Sequence, residues 1–339
     1  MTIPAWKEKA AHFAASFGKK EAKTGSRDHS GLAALYRKEL ADHLNSKRFY
    51  LIFALLLLTT TASLAGAVSN LSSAVSQSSE FIFLKLFTTG SSSIYSFATF
   101  LAFLGPLAGI TLGFDAVNNE RSLGTLNRLA SQPIYRDAII NAKFLAGASV
   151  IVMIVFTLGL YICGAGLLLI GIPPSGEEVA RIIAFLLLAS VYICVWLALA
   201  IIFSVISRHG ATAALACISI WLFLSLFMSL VASGIADMVY PLDGIEGFSN
   251  MLSNYELDLA LNRISPYYLF SEAASTILNP NVRSIGVVTM SSYDRAVASS
   301  LPFTESLLLI WPHLVVMVAL AMAGFAAAYV SFMRQEIRA

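Results

Sequence analysis

The groups best suited to chemistry lie in one short polar stretch, 120–136, which reads ERSLGTLNRLASQPIYR. Glu120 supplies a negative charge and Arg121, Arg128 and Arg136 present cations to whatever lies below, while Leu123, Leu126 and Leu129 recur as a narrow apolar edge. Gly124 permits close approach by another backbone, and Pro133 ends the element. Asn118 and Asn119 can cap the start, with Glu120 at the positive end of the helix dipole. No nucleophile is paired with a base here, so the chemistry is that of docking. Two hydrophobic runs flank the stretch, each long enough to cross a bilayer. It therefore reads as a helix over 119–130 on which another molecule pushes; a basic loop meeting lipid headgroups is the alternative.

Covalent chemistry finds little support elsewhere. No GxxxxGK[ST] loop occurs, so this chain does not hydrolyse nucleotide through a P-loop, and any ATP belongs to a partner. His12, His29, His43, His209 and His313 are scattered without the paired spacing of metal ligands, and no metal site is expected. Cys163, Cys194 and Cys217 fall in apolar runs and read as reduced, buried thiols. The hydrophobic runs are almost free of charge: Asp115, Lys143 and Arg181 sit at their ends, where they can snorkel or face water. No mid-membrane carboxylate of the kind a proton-coupled carrier uses is evident. Hydroxyl rows do occur, Thr59 with Ser63 and Ser225, Ser229 and Ser233 at intervals of four, which either line a path or allow close helix packing.

The elements that position these groups follow from composition. With 57% hydrophobic and 12% charged residues and a mean hydropathy of +0.75, the chain lies outside the usage of soluble domains. The apolar runs are continuous rather than alternating, which selects helices over a barrel. Six qualify as spans, over 49–68, 94–114, 144–171, 179–207, 212–235 and 306–333. The fold class is thus an all-α integral membrane protein. Gly105-Pro106 predicts a kink in the second span, and Pro173-Pro174 a tight turn joining the third and fourth. With the N terminus inside, 17 of the 22 Lys and Arg fall on the inner side, which places both termini in the cytoplasm. The first 30 residues lack the apolar core of a cleavable signal, so the first span serves as targeting signal. Nucleic-acid binding has no support in this charge distribution.

Two helices are expected before the first span. Residues 1–30 form a basic tail or an amphipathic surface helix, with Ile3, Trp6, Phe13 and Phe17 on one side. Residues 31–48 place Leu32, Leu35, Tyr36, Leu40 and Leu44 together as an interface helix. The one large outer element, 236–305, contains Ser265-Pro266 as cap and first-turn proline. Leu269, Phe270, Ala273, Ala274, Ile277 and Leu278 follow as an apolar face, and Asn279-Pro280 stops the helix. That helix is expected to pack on the outer leaflet or the mouths of the spans.

At these residues the chain resembles the membrane subunits of the type-2 family of ABC exporters. The resemblance rests on Tyr36, Arg37, Lys38, Glu39 and Leu40 before the first span, and on Ile264 to Tyr268 in the outer loop. Between them it adds Glu120, Gly124, Thr125, Leu126, Leu129, Ser131, Pro133, Arg136 and Lys143; Ala142 stands where the family usually has glycine. Among branches, the chain is most similar to the permease of the nitrous-oxide reductase maturation exporter. The resemblance implies a six-helix half-transporter in the prokaryotic cytoplasmic membrane, non-catalytic by itself. It implies pairing with a second permease, identical or different, and with two ATP-binding subunits that use ATP and Mg; this chain binds no cofactor. It also assigns Tyr36, Arg37, Lys38 and Glu39 to the interface helix, and Glu120, Arg121, Gly124, Thr125, Leu126, Leu129, Pro133 and Arg136 to coupling with the ATPase. Two other classes of function remain open at the level of residues. One is a scaffold or sensor whose outer loop binds an extracytoplasmic protein, and the other is an ion-coupled carrier.

Overall fold

The structure, a computed structural model, describes residues 27–70, 81–90, 94–125, 135–171, 173–243, 247–281 and 301–335. The expectations for residues 1–26 and for 282–300 lie outside them, as do Leu126, Arg128, Leu129, Ser131 and Pro133. Among the described residues the secondary structure is helical throughout, and six helical stretches are long and apolar enough to cross a membrane.

An amphipathic helix, α1 (Arg27–Leu44), precedes the first span, α2 (Lys47–Ser69). The break between them falls earlier than the expected boundary at residue 48, because the Ser46 hydroxyl accepts from the Phe49 amide and caps α2. A short helix, α3 (Ile82–Thr88), then leads to the second span, α4 (Phe97–Gly113), which runs on through Pro106. After α5 (Asn118–Ser122) come α6 (Arg136–Ile170) and α7 (Gly176–Ile206). Ser175 and Glu178 cap α7 reciprocally at the turn. The fifth span is α8 (Gly210–Leu222), a π-helical turn at Phe223–Phe227, and α9 (Met228–Val239). Helices α10 (Gly247–Asn262) and α11 (Pro266–Leu278) precede the last span, α12 (Phe303–Arg334).

Helix α7 is the central post, packed against α4, α6, α11 and α12, with Phe185, Tyr192 and Trp196 fully buried. Glycine makes the α4 contact close. A Cβ on Gly109 would stand 2.6 Å from the Ile193 carbonyl oxygen, and one on Gly113 would stand 2.7 Å from the Ala200 Cβ. Small residues at intervals of four thus let two backbones approach as in other membrane helix pairs.

Helices α10 and α11 depart from the expectation that the outer helix lies at the span mouths. Phe270 of α11 stacks on Tyr192, halfway along α7, with ring centroids 4.5 Å apart. The Ser265 hydroxyl donates at 2.7 Å to the Leu224 carbonyl, which lies in the π turn halfway along the fifth span. Asn254 of α10 meanwhile donates to Asp237 and to the Tyr240 carbonyl, both at 2.9 Å, at the far end of α9. The pair is therefore a helical hairpin that dips between the spans and turns at mid-depth. The π turn frees a carbonyl, and the serine at the hairpin tip satisfies it, as apolar surroundings require.

Candidate functional site

Helix α1, the α4–α5 corner, the start of α6 and the end of α12 meet on one face of the bundle. The spacing within α1 buries Leu35 and Glu39 while Arg37 and Lys38 stay exposed. The Tyr36 hydroxyl donates to the Ser149 hydroxyl at 2.9 Å and fixes α1 along α6. Two turns into α6, Lys143 is only 3% exposed. Its Nζ lies 3.1 Å from Glu39 Oε2 and 3.0 Å from Glu120 Oε1. Lys38 closes the circuit from the exposed side, 3.0 Å from Glu39 and 3.3 Å from both Glu120 and Asp42. Lys143 therefore does not snorkel; it is the buried keystone of a charge network joining α1, α5 and α6.

Burial by itself would raise the Glu39 carboxyl, but Lys143 and Lys38 outweigh it and hold the group below the usual carboxylate range. Burial likewise works to lower Lys38, and Glu39 and Glu120 reverse the sign and hold it above the usual lysine value. His43, one turn beyond Glu39, is shifted down chiefly by burial and remains neutral to lower pH than a free histidine. These groups line a groove of about 640 Å³ together with Arg48, Asp115, Leu123 and Thr125. Arg48 pairs with Asp115 and lies over the Phe114 ring. Glu120 Oε2 is buried beside this groove without a hydrogen-bond partner among the described residues.

The polar insert differs from a single helix over 119–130. Its described part is the five-residue α5, after which Gly124 turns with φ +67°. Only glycine takes that conformation without penalty, so the helix breaks there. Among the described residues nothing lies within 4 Å of where a Cβ on Gly124 would stand, and the neighbouring Leu123 is 68% exposed. The asparagines do not cap α5 with their side chains: the Ser204 hydroxyl accepts from the Val117 amide and donates to Asn118 Oδ1, both at 2.9 Å, tying the corner to α7. The Thr125 hydroxyl donates back to the Glu120 carbonyl at 3.2 Å.

Arg121 and Arg136 were expected to present their cations to whatever lies below the insert; they bind the end of α12 instead. Arg121 donates to the Gln335 side chain and to the Val205 carbonyl. Arg136 donates to the Phe332 and Gln335 carbonyls at 3.3 and 2.8 Å. Cations at a helix C terminus satisfy its unpaired carbonyls and its dipole. Sequence reasoning missed Gln335 and Ser204, which carry no distinguishing pattern. The bridging role of Lys143 did leave a signal, a lone charge on the stripe formed by Ile139, Ala146 and Val150.

The hydroxyl rows are brought to no common site. Thr59 bonds back to its own helix at Leu55 and Leu56, Ser63 is buried without a hydrogen-bond partner among the described residues, the Ser225 hydroxyl is buried in the π turn, and Ser229 is exposed. Two further ionic clusters lie away from this network, one at the start of α7 and one between α11 and α12. Arg181, fully buried rather than snorkelling, donates to Glu177, the Ile277 and Leu301 carbonyls and the Ser306 hydroxyl. Glu272 of α11 binds Arg263 at 2.8 Å and His313 of α12 at 2.8 Å. The apolar stretches are thus less free of charge than their sequence suggests, because a hairpin brings its own ions between them.

Residues 33–337 match the family described as ABC-2 family transporter protein. A protein of Pseudomonas aeruginosa described as a probable ABC transporter permease protein NosY is 30% identical over 207 residues, covering 57% of this chain and 66% of that relative. A match over nearly the whole described bundle, joined to six apolar helices and a polar corner between the second and third, makes the chain a multi-pass membrane protein that belongs to the ABC-2 family of transporter proteins.

Proposed function

We propose that this chain is the transmembrane subunit of an ATP-driven exporter. It forms half of a translocation path with a second permease and receives force from two ATP-binding subunits through the 118–136 corner. The observation that carries this reading is the Glu39–Lys143–Glu120 network, which makes the corner mechanically continuous with α1 and α6. A push at Leu123 and Gly124 acts on a turn linked through Ser204 to α7 and through Arg121 to α12, so that the bundle shifts as a body between two packings. Both termini and this face lie in the cytoplasm, with α1 at the membrane interface. ATP and Mg are bound and used by the partners; the chain itself supplies no catalytic group. The apolar side chains exposed on α9 and α12, among them Leu230, Met238, Trp311 and Met322, suit lipid and a second permease.

The test is recovery of the assembly from native membranes in mild detergent. The tagged chain is expected to bring down a P-loop ATPase, and its removal from the membrane is expected to abolish that subunit's membrane association. Purification with no ATPase, or with an envelope protein bound to the 236–305 element in its place, overturns the proposal. Ion-gradient-driven transport by the chain alone in liposomes does so equally.

A further inference from the structure

On the face opposite the charge network, a cavity of about 290 Å³ opens between the end of α3, the first turns of α4 and one side of α11. Six of the ten described residues that line it carry hydroxyls: Thr88, Ser96, Thr99, Tyr267, Ser271 and Ser275. The remainder are alanines and Leu278, and no Asp, Glu, Lys, Arg or His is among the described residues that line it. Four of the hydroxyls are committed elsewhere. Thr88 bonds to the Leu84 carbonyl, Ser275 to the Glu272 carbonyl, and Ser96 and Thr99 to one another. Tyr267 and Ser271, one turn apart on α11, make no hydrogen bond among the described residues, although helical Ser and Thr elsewhere in the chain, such as Thr157 and Ser190, bond back to their own turn.

This lining selects its ligand by exclusion. A phosphate or carboxylate would be desolvated with no countercharge to receive it. An apolar molecule would strip water from the free hydroxyls and return nothing. A hydroxyl both donates and accepts, so the natural complement is a neutral group that does the same at several points, with a C–H face for the alanines. At about 30 Å³ of liquid per water, the space is on the scale of ten waters, enough for one ring. We propose that this cavity binds a neutral, polyhydroxylated group, a sugar ring that arrives either free or as the headgroup of a glycolipid. The proposal is independent of the coupling site, which lies at the other end of the spans.

The experiment uses the full chain in nanodiscs with three probes: radiolabelled free galactose, galactosyl diacylglycerol detected by native mass spectrometry, and phosphatidic acid as charged competitor. Saturable binding of at least one galactose probe is expected, weakened about fivefold by Tyr267→Phe and by a similar factor by Ser271→Ala, the scale of one neutral hydrogen bond. Binding of the lipid alone identifies a headgroup site, and binding of free galactose identifies a soluble ligand. Thermal unfolding of each variant accompanies the titration, and if Tyr267→Phe does not fold, Ser271→Ala carries the test. The proposal is overturned if neither galactose probe binds, if the folded variants bind as the parent does, or if phosphatidic acid displaces the galactolipid at equal concentration.

Discussion

Lys143 Nζ lies 3.0 Å from Glu120 Oε1, so the only ammonium buried in this network holds the α5 corner to the first turns of a membrane span. The same nitrogen holds Glu39 of α1 at 3.1 Å. A push on the corner is therefore delivered through a charge-assisted contact in a poorly hydrated place, where such contacts are strong and their loss is costly.

Lys143→Met leaves Glu39 and Glu120 facing each other, with only the half-exposed Lys38 to compensate. Breaking a buried pair from one side typically costs roughly 3–5 kcal/mol. A marked loss of thermal stability in nanodiscs is expected, and Glu39→Gln added to Lys143→Met should recover part of it. A single substitution with parental stability would show that the network carries no load.

Acid should loosen this face in two steps. The depressed folded value of His43 means that the unfolded chain takes up its proton first, so stability begins to fall as pH drops below about 6.5. Glu39, also depressed, contributes stability that is complete above its unfolded value and is lost as pH falls below about 4.5 through the folded value. Unfolding midpoints measured from about pH 8 down to about pH 2 should show both steps, and His43→Gln should remove only the upper one.

Gly109→Ala tests the α4–α7 contact. The added methyl meets the Ile193 carbonyl at 2.6 Å, and a backbone oxygen in mid-helix cannot swing aside. The helices must separate, at a cost of about 1–3 kcal/mol for an overpacked interface. Thermal unfolding should fall accordingly. Gly164→Ala, with open space around the added methyl, serves as the control.

At the corner itself, Gly124→Val puts a β-branched residue at φ +67°, a strain of roughly 1–2 kcal/mol borne locally. Arg121→Glu removes the donor that links the corner to Gln335 and Val205. Each is expected to leave membrane insertion intact while ATP turnover by the assembly ceases to be matched by export. Unchanged coupling in both would remove the corner from the transmission path.

Local features of this fold are legible in the sequence, and long-range ones are not. Ser265-Pro266 marks the start of α11 because a cap and a first-turn proline act within one turn, and the apolar face from Leu269 to Leu278 is buried as its spacing implies. The depth of that helix was hidden, because it depends on Phe270 meeting Tyr192 of another span and on Ser265 meeting Leu224. Lys143 and Arg181 read as snorkelling ends, since a lone charge near a span terminus looks the same whether it reaches water or a partner 104 or 96 residues away. Gly124 was read as room for a neighbour. Its structural role is a helix break, which one sequence does not distinguish from close approach.

The central claim is that an ATP-binding subunit sits on this corner, and Leu123, exposed beside the Gly124 turn, reports on it directly. A photoreactive maleimide on Leu123→Cys, in a chain with Cys163, Cys194 and Cys217 replaced by serine, is to be irradiated in native membranes with and without ATP. The account predicts one dominant protein adduct, a P-loop ATPase, whose yield changes with nucleotide. Adducts to lipid alone, or to a protein with no ATP-binding site, would contradict it.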